Sequence, residues 1–366
     1  MSSDLSTRIQ QLAREEGFDH CGIAPVCDFS ELRIFPGWIA DGHHGEMKYM
    51  EARNQAAELK RASLANVAPW ARSVIVCALN YNTAQPYSTQ TEDATRGWIS
   101  RYAWSREDYH EAVMRRLRLV EAKLHELLNA TGNRQLATGN SLQTRAYVDT
   151  GPLIERVYAK HAGVGWIGKN TCIINQKLGS WLFLGVILTS LEPRSEFAAD
   201  VPAPDRCGTC TRCITACPTQ AIVAPGELDA RLCISYLTIE KRGDIPQDLR
   251  SGMGRHVFGC DICQDVCPWN RKAPVTTADE FQPREGLVNP ALEWLGDMQP
   301  EEFGAVFRGS PVRRAKLSGL RRNAVIAMGN SGDAKFVPTL KKLAEDADPL
   351  VAEHARWALD QLQQMW

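Results

Sequence analysis

Apolar positions along this chain recur on two periods, and the changes between them divide it into three regions. At the N-terminus Leu5, Ile9 and Leu12 fall on one face of a helix that Gly17 stops. Continuous apolar runs at Val74–Leu79 (VIVCAL) and Trp181–Leu188 (WLFLGVIL) read as buried strands, Arg145–Val148 as a shorter one, and Glu107–Asn129 as a long amphipathic helix. Strands and helices alternating to about residue 190 predict an α/β or α+β domain. The stretch LEPRSEFAADVPAPDR, with Pro193, Pro202 and Pro204, reads as a linker. The last region is wholly helical and repeats itself. Asn323-Ala324-x-x-Ala327-Met328 recurs 31 residues later as His354-Ala355-x-x-Ala358-Leu359, with a turn at Gly329–Gly332, a helix over Val337–Leu343 and a break at Asp348-Pro349. Small residues at close helix crossings, with bulky ones between, are what stacked helical pairs need, here of a short HEAT-like kind.

A length of 366 residues favours several domains. The boundaries predicted are 1–190, 191–275 and 276–366. A chain that is 44% hydrophobic and 23% charged is ordinary for a globular protein, and a formal net charge of -1 excludes a strongly basic nucleic-acid binder, so any basic patch is local. No apolar run approaches the roughly 20 residues that cross a bilayer, and the N-terminus carries neither an apolar leader core nor a twin arginine. A cytoplasmic protein with no membrane partner is expected, and its twelve cysteines are then metal ligands before they are disulfides.

Eight of those cysteines carry the most specific signal. Cys207-x-x-Cys210-x-x-Cys213-x-x-x-Cys217-Pro218 sets three thiolates on one loop and turns the fourth away toward a second cluster. The second group, Cys260-x-x-Cys263-x-x-x-Cys267-Pro268, lacks the leading cysteine, and the lone Cys233 supplies it. Crossed ligation assigns Cys207, Cys210, Cys213 and Cys267 to one [4Fe-4S] cluster and Cys217, Cys233, Cys260 and Cys263 to the other. Zinc sites favour paired C-x-x-C and four ligands, a poorer match. Cys21, Cys27, Cys77 and Cys172 lack such spacing and read as packed thiols.

Between the strand at 145–148 and a helix lies Asp149-Thr150-Gly151-Pro152-Leu153-Ile154-Glu155-Arg156, a carboxylate at a strand end. Such loops collect ligand groups in α/β domains. Ala159-Lys160-His161-Ala162-Gly163-Val164-Gly165-Trp166-Ile167-Gly168-Lys169-Asn170 follows, with three glycines in six residues that would let backbone approach a large planar ligand. It is not the G-x-G-x-x-G of a dinucleotide fold. The basic residues Arg308, Arg313, Arg314, Lys316, Arg321 and Arg322 run from 304 to 322 without an acidic residue, and residues 311–366 hold nine basic against six acidic side chains. That stripe is a candidate phosphate-binding face.

The segments YVDTGPLIER, AKHAGVGWIGKNTCIIN and YLTIEKRG, the two cysteine groups and the helical tail together resemble the epoxyqueuosine reductase family over nearly the whole chain. The resemblance implies a multi-domain α+β protein with an N-terminal α/β cobalamin-binding domain, a two-cluster ferredoxin-like module and a HEAT-like helical tail that binds tRNA. It implies two [4Fe-4S] clusters and base-off cobalamin as cofactors, a cofactor set similar to that of reductive dehalogenases. The substrate would be tRNA with a queuosine-type wobble base in the anticodon arm, reduced with electrons from an external donor, by a monomer. Asp149 would be the proton donor, and Arg61, Tyr102, Asp149, Asn170, Ile173, Cys260 and Asp261 the residues around the cobalamin. Arg313, Arg314, Lys316, Arg321 and Arg322 would meet the tRNA, and Tyr236, Glu240, Lys241 and Arg242 would line the entrance. Asp149 would need a raised pKa to hold its proton near neutrality, which burial beside the corrin would provide. His161 is a conceivable cobalt ligand, but its spacing fits a packed or capping histidine better. The rival readings are a reductive dehalogenase with the same cofactors and a ferredoxin-like carrier whose tail docks a protein.

Overall fold

The structure, a computed structural model, describes residues 5–130, 141–193 and 198–364. The chain forms two compact units, each assembled from separated segments: Met1–Asn82, Tyr109–Cys210 and Pro268–Val275 in the first, Thr83–Asp108, Thr211–Cys267 and Thr276–Trp366 in the second. These are not the three consecutive domains expected from composition. The division falls inside the first cysteine group, between Cys210 and Thr211, because the chain leaves one core and enters the other there.

In the first unit, helix α1 (Leu5–Glu15) precedes strands β1 (His20–Pro25) and β2 (Ser73–Asn80), followed by the long helix α2 (Tyr109–Ala130). Then come β3 (Thr144–Tyr147), helix α3 (Glu155–His161), the short strands β4 (Trp166–Ile167) and β5 (Ile173–Ile174), and β6 (Leu182–Thr189). A four-stranded sheet runs β1-β2-β6-β3 with every pairing antiparallel. An antiparallel sheet makes this an α+β unit and not a doubly wound one. Central β2 is buried at all eight positions, which is why its sequence is a continuous apolar run. Against the sheet α2 lays Val113, Leu117, Val120, Leu124 and Leu128 at helical spacing. Each such side chain contributes about 1.5–3 kcal/mol by leaving water. Edge strand β3 ends at Tyr147 and delivers the Asp149 loop at its tip.

The expected linker is fastened where it is described. Asp200 donates its N–H to the Ile23 carbonyl (2.8 Å) and accepts from the Ile23 N–H through Oδ2 (2.8 Å), and the Ala203 N–H bonds the Lys160 carbonyl (3.0 Å). The two bonds to Ile23 occupy the outer edge of β1, and the third ties the segment to α3.

In the second unit a short strand, Trp98–Ile99, pairs in parallel with His256–Phe258. Helix α4 (Ile234–Ile239) lies between the cysteine groups, and α5 (Lys316–Asn330), α6 (Val337–Leu343) and α7 (Pro349–Gln364) form the tail. Ala324, Ala327, Ala355 and Ala358 are all fully buried where α5 packs on α7, as small residues at a close crossing should be. The two repeat positions that begin with a polar residue are buried anchors. Asn323 donates to the Thr238 and Val257 carbonyls (2.9 and 2.8 Å), and His354 accepts the Ile245 N–H (3.2 Å) while its other nitrogen faces the Leu350 carbonyl (2.8 Å). Among the described residues no helix is long and apolar enough to cross a membrane.

Candidate functional site

Asp149 sits in the left-handed region at φ 56°, a conformation uncommon for a residue with a Cβ. Strained backbone at a strand-end loop is a pointer to function. The turn sets the carboxylate against the first turn of α2: the Tyr109 hydroxyl donates to Asp149 Oδ2 (3.0 Å) and His110 Nε2 lies 3.7 Å from the same oxygen. Arg61 holds the loop from the other side, donating to the Gly151 carbonyl (3.1 Å) and the Tyr49 carbonyl (2.8 Å). Arg156, from α3, reaches the Thr171 carbonyl (3.2 Å).

The expected buried, proton-holding Asp149 is not what this structure shows. Its side chain is 68% exposed, and the neighbouring His110 imidazole, with the Tyr109 hydroxyl, holds its carboxyl below the usual range against the effect of desolvation. In this motif the carboxyl pushed toward neutrality is instead Glu155, six residues on. Burial, with the repulsion of Asp149 added, pushes it up to about 7, and its Oε1 is buried without a hydrogen-bond partner. Neither Tyr109, His110 nor Glu155 was singled out from the sequence. They lie on two helices, and only folding brings the start of α2 to the end of β3.

The glycine-rich segment plays a different part from the one expected. A Cβ on Gly165 would lie 2.5 Å from the Ile174 carbonyl oxygen, and one on Gly168 would lie 2.5 Å from Ile174 Cδ1. These glycines therefore admit the chain's own β4–β5 hairpin. Asn170 and Ile173 are buried in the same hairpin, with Asn170 Oδ1 accepting from the Cys172 N–H (3.3 Å). The segment also grips a cysteine loop. Trp166 Nε1 donates to Cys207 Sγ (3.4 Å), and Lys169 Nζ donates to the Gly208 and Cys210 carbonyls (2.7 and 3.0 Å). His161 is packed, stacked on Phe29 with ring centroids 3.6 Å apart and facing Glu31 at 3.2 Å.

In the second unit Cys217, Cys233 and Cys260 come together. Burial pushes the Cys260 thiol well up, and the neighbouring Cys233 and Cys217 add to it; burial and Cys217 do the same to Cys233. All are free thiols, as is Cys263 on the following helix. Half-buried thiols brought together without a disulfide fit an iron-sulfur cube, which takes them as thiolates. The Ala221 N–H already points at Cys217 Sγ (3.3 Å), a bond of the kind that tunes cluster potential. Of the other predicted ligands, Cys207 and Cys210 belong to the first unit, Cys213 and Cys267 to the second.

Asp261 is 1% exposed and its carboxylate is engaged, accepting from Trp98 Nε1 (3.0 Å), the Arg101 N–H (2.7 Å) and the Ser100 hydroxyl. Its side chain anchors the segment 98–101 to the Cys260 loop. Tyr102 lies beside that loop, its ring 6.0 Å from Phe258.

The basic stripe divides. Arg313, Arg314 and Lys316 are exposed, with Arg314 paired to Glu240. Arg322 is fully buried and donates to the Lys241, Gly243 and Leu237 carbonyls (2.9, 2.8 and 2.8 Å), and Arg321 is bound to Asp346 and the Gly296 carbonyl. These two arginines hold α5 in place and present no charge to a ligand, which corrects their assignment to the phosphate-binding face. Tyr236, expected at an entrance, is 6% exposed and part of the core.

Residues 61–150 match the family model described as epoxyqueuosine reductase QueG, DUF1730, and residues 206–270 match the 4Fe-4S double cluster binding domain. An epoxyqueuosine reductase of Xanthomonas campestris is 38% identical over 363 residues, covering 98% of this chain and 96% of its own. A crystal structure of an epoxyqueuosine reductase with a tRNA-Tyr epoxyqueuosine-modified stem loop superposes with a TM-score of 0.82 at 30% identity, over 98% of this chain and 90% of that one. The Bacillus subtilis enzyme, with its catalytic aspartate loop swung out of the active site, superposes at 0.81 with 29% identity over the same shares. This chain belongs to the epoxyqueuosine reductase family and is an oxidoreductase.

Proposed function

We propose that this chain reduces epoxyqueuosine to queuosine at the wobble position of tRNA, with Asp149 as the proton donor. The observation that carries the proposal is Asp149 itself, on a left-handed strand-end turn between Tyr109 and His110. Two [4Fe-4S] clusters, on the two ligand sets set out above, would pass single electrons to a base-off cobalamin, whose cobalt chemistry would supply the reducing step. Asp149, Arg61, Asn170 and Ile173 are the first-unit residues proposed for the corrin side. Tyr102, Cys260 and Asp261 are those of the second unit, with Asp261 acting by holding the Cys260 loop.

Removing an epoxide oxygen to leave an alkene takes two electrons and two protons and releases water. Opening the ring leaves an alkoxide, and a carboxylic acid within about 2.6–3.2 Å can protonate it as it forms. Without substrate, Asp149 is held as a carboxylate, because His110 and Tyr109 stabilise that form. A substrate laid over it would strip its water and move its pKa up, toward the range in which it can give a proton. The B. subtilis relative's catalytic aspartate loop, swung out of its active site, supports a carboxylate that enters the reaction after movement. Arg61 ties this chain's loop to Tyr49 through the Gly151 carbonyl.

Anaerobic reconstitution with iron, sulfide and cobalamin, addition of a low-potential chemical reductant as electron donor, and nucleoside analysis of the treated tRNA test the reading. Queuosine should appear in proportion to enzyme turnover. Organohalide reduction without tRNA turnover, or bound clusters with no uptake of cobalamin, would reject it.

A further inference from the structure

A groove of about 570 Å³ opens in the first unit along the exposed side of α2, lined by Met114, Arg115, Arg118 and Leu119 from the helix and by Val148 and Thr150 from the chain beyond β3. His110 and Glu111 complete its wall. Two features make it unlike an ordinary helix surface. Leu119, a large apolar side chain, is left 47% exposed inside it, with exposed Arg115 and Arg118 beside it. The groove also ends on the two residues that bracket Asp149, and on the imidazole that touches the Asp149 carboxylate.

We infer that this groove holds the RNA strand next to the modified nucleotide, with Arg115 and Arg118 on its phosphates and Met114 and Leu119 against a ribose or base face. The inference rests on the proposed tRNA substrate and goes beyond it by naming a second contact surface, separate from the tail. Continuity decides the occupant. Whatever lies in a groove that runs up to Asp149 must be joined to, or lie beside, the group that Asp149 protonates, and in this substrate that group is one nucleotide of a chain. A nucleotide's two chemistries, an anionic phosphodiester and an apolar flat face, match the two kinds of side chain present. Glu111 opposes this charge at the rim, leaving two guanidinium groups against one carboxylate, with His110 adding charge only when protonated.

The test uses the full-length enzyme loaded with clusters and cobalamin, and a fluorescent anticodon stem loop as the probe. Arg115→Glu with Arg118→Glu should weaken stem-loop binding at least about tenfold near 0.1 M salt. Two lost phosphate contacts should also flatten the plot of log affinity against log salt by about 1.4. The paired change Arg115→Gln with Arg118→Gln should fall between, and the visible spectrum should not change, because both side chains are exposed. Wild-type affinity and salt slope in the charge-reversed enzyme, with the parent binding and converting tRNA normally, would overturn the groove while leaving the proposed function standing. A fall in the rate of electron delivery with RNA binding intact would assign the groove to the electron donor and overturn the inference. Failure of the parent enzyme itself to bind the stem loop would overturn both.

Discussion

The loop from Arg145 to Arg156 and the stretch from Arg308 to Arg322 both announce function through charged residues, and folding treats them in opposite ways. There, Asp149 stays exposed while Tyr109 and His110 from α2, and Arg61 from far earlier in the chain, gather around its turn. In the stretch, two of the most prominent charges turn inward. Arg322 is fully buried on three backbone carbonyls and Arg321 is paired with Asp346, while Arg313 and Lys316 stay outside. Strand-end loops have no core to serve, so their polar groups remain available. A helix in the middle of a stacked tail must satisfy the carbonyls of its neighbours, and a long cationic side chain is one way to reach them. A run of arginines is therefore a count of two populations, and only exposure tells them apart.

The largest expected effect separates those populations. Arg322→Met removes three donors from buried carbonyls and should cost about 3–5 kcal/mol of unfolding free energy, whereas Arg313→Ala should stay within about 0.5 kcal/mol. Urea titration of both variants checks this, and equal stabilities would erase the distinction.

Next in size is an acid dependence that the tail contributes. Burial holds the His354 pKa down at about 4, below its ordinary value near 6.5. The unfolded chain therefore takes up a proton that the folded one refuses. Stability on this account is complete above pH 6.5 and is lost as pH falls toward 4, by about 1.4 kcal/mol per pH unit. Replacing His354 by Gln should flatten that acid limb of the urea midpoint, whatever it does to stability at pH 7. An unchanged limb would move the titration elsewhere.

Smaller again is the effect on RNA. Arg313→Glu with Lys316→Glu should weaken stem-loop binding by about tenfold and reduce its salt dependence. The same reversal at Arg321 and Arg322 should instead lower stability, and a pure binding defect there would contradict the buried assignment.

Much of this was legible beforehand. The runs at 74–79 and 181–188 are the central strands, the helix at 337–343 has the predicted bounds, and the repeat marks a real close crossing of α5 and α7. These signals are local, since one element's periodicity reports its own burial. What was not legible depended on contacts far apart in sequence. The glycines at 165 and 168 looked like room for a ligand and serve a hairpin. The proline-rich segment looked like a linker and closes the edge of β1. The cysteine spacing named a two-cluster module, yet nothing in it showed that the chain passes between two cores after Cys210. Glu155 stood in the quoted motif, but its burial and missing partner become visible only once α3 is packed.

The most direct test of the central claim is single-turnover conversion of epoxyqueuosine-containing tRNA by the loaded Asp149→Asn enzyme. Cluster and cobalamin spectra recorded on the same sample would show that both cofactors are in place. Asparagine keeps the shape and the Tyr109 contact but has no proton to give. The account predicts intact spectra and a rate lowered by about 10²–10⁴. Conversion at the parent rate would contradict it and take the proton donor away from Asp149.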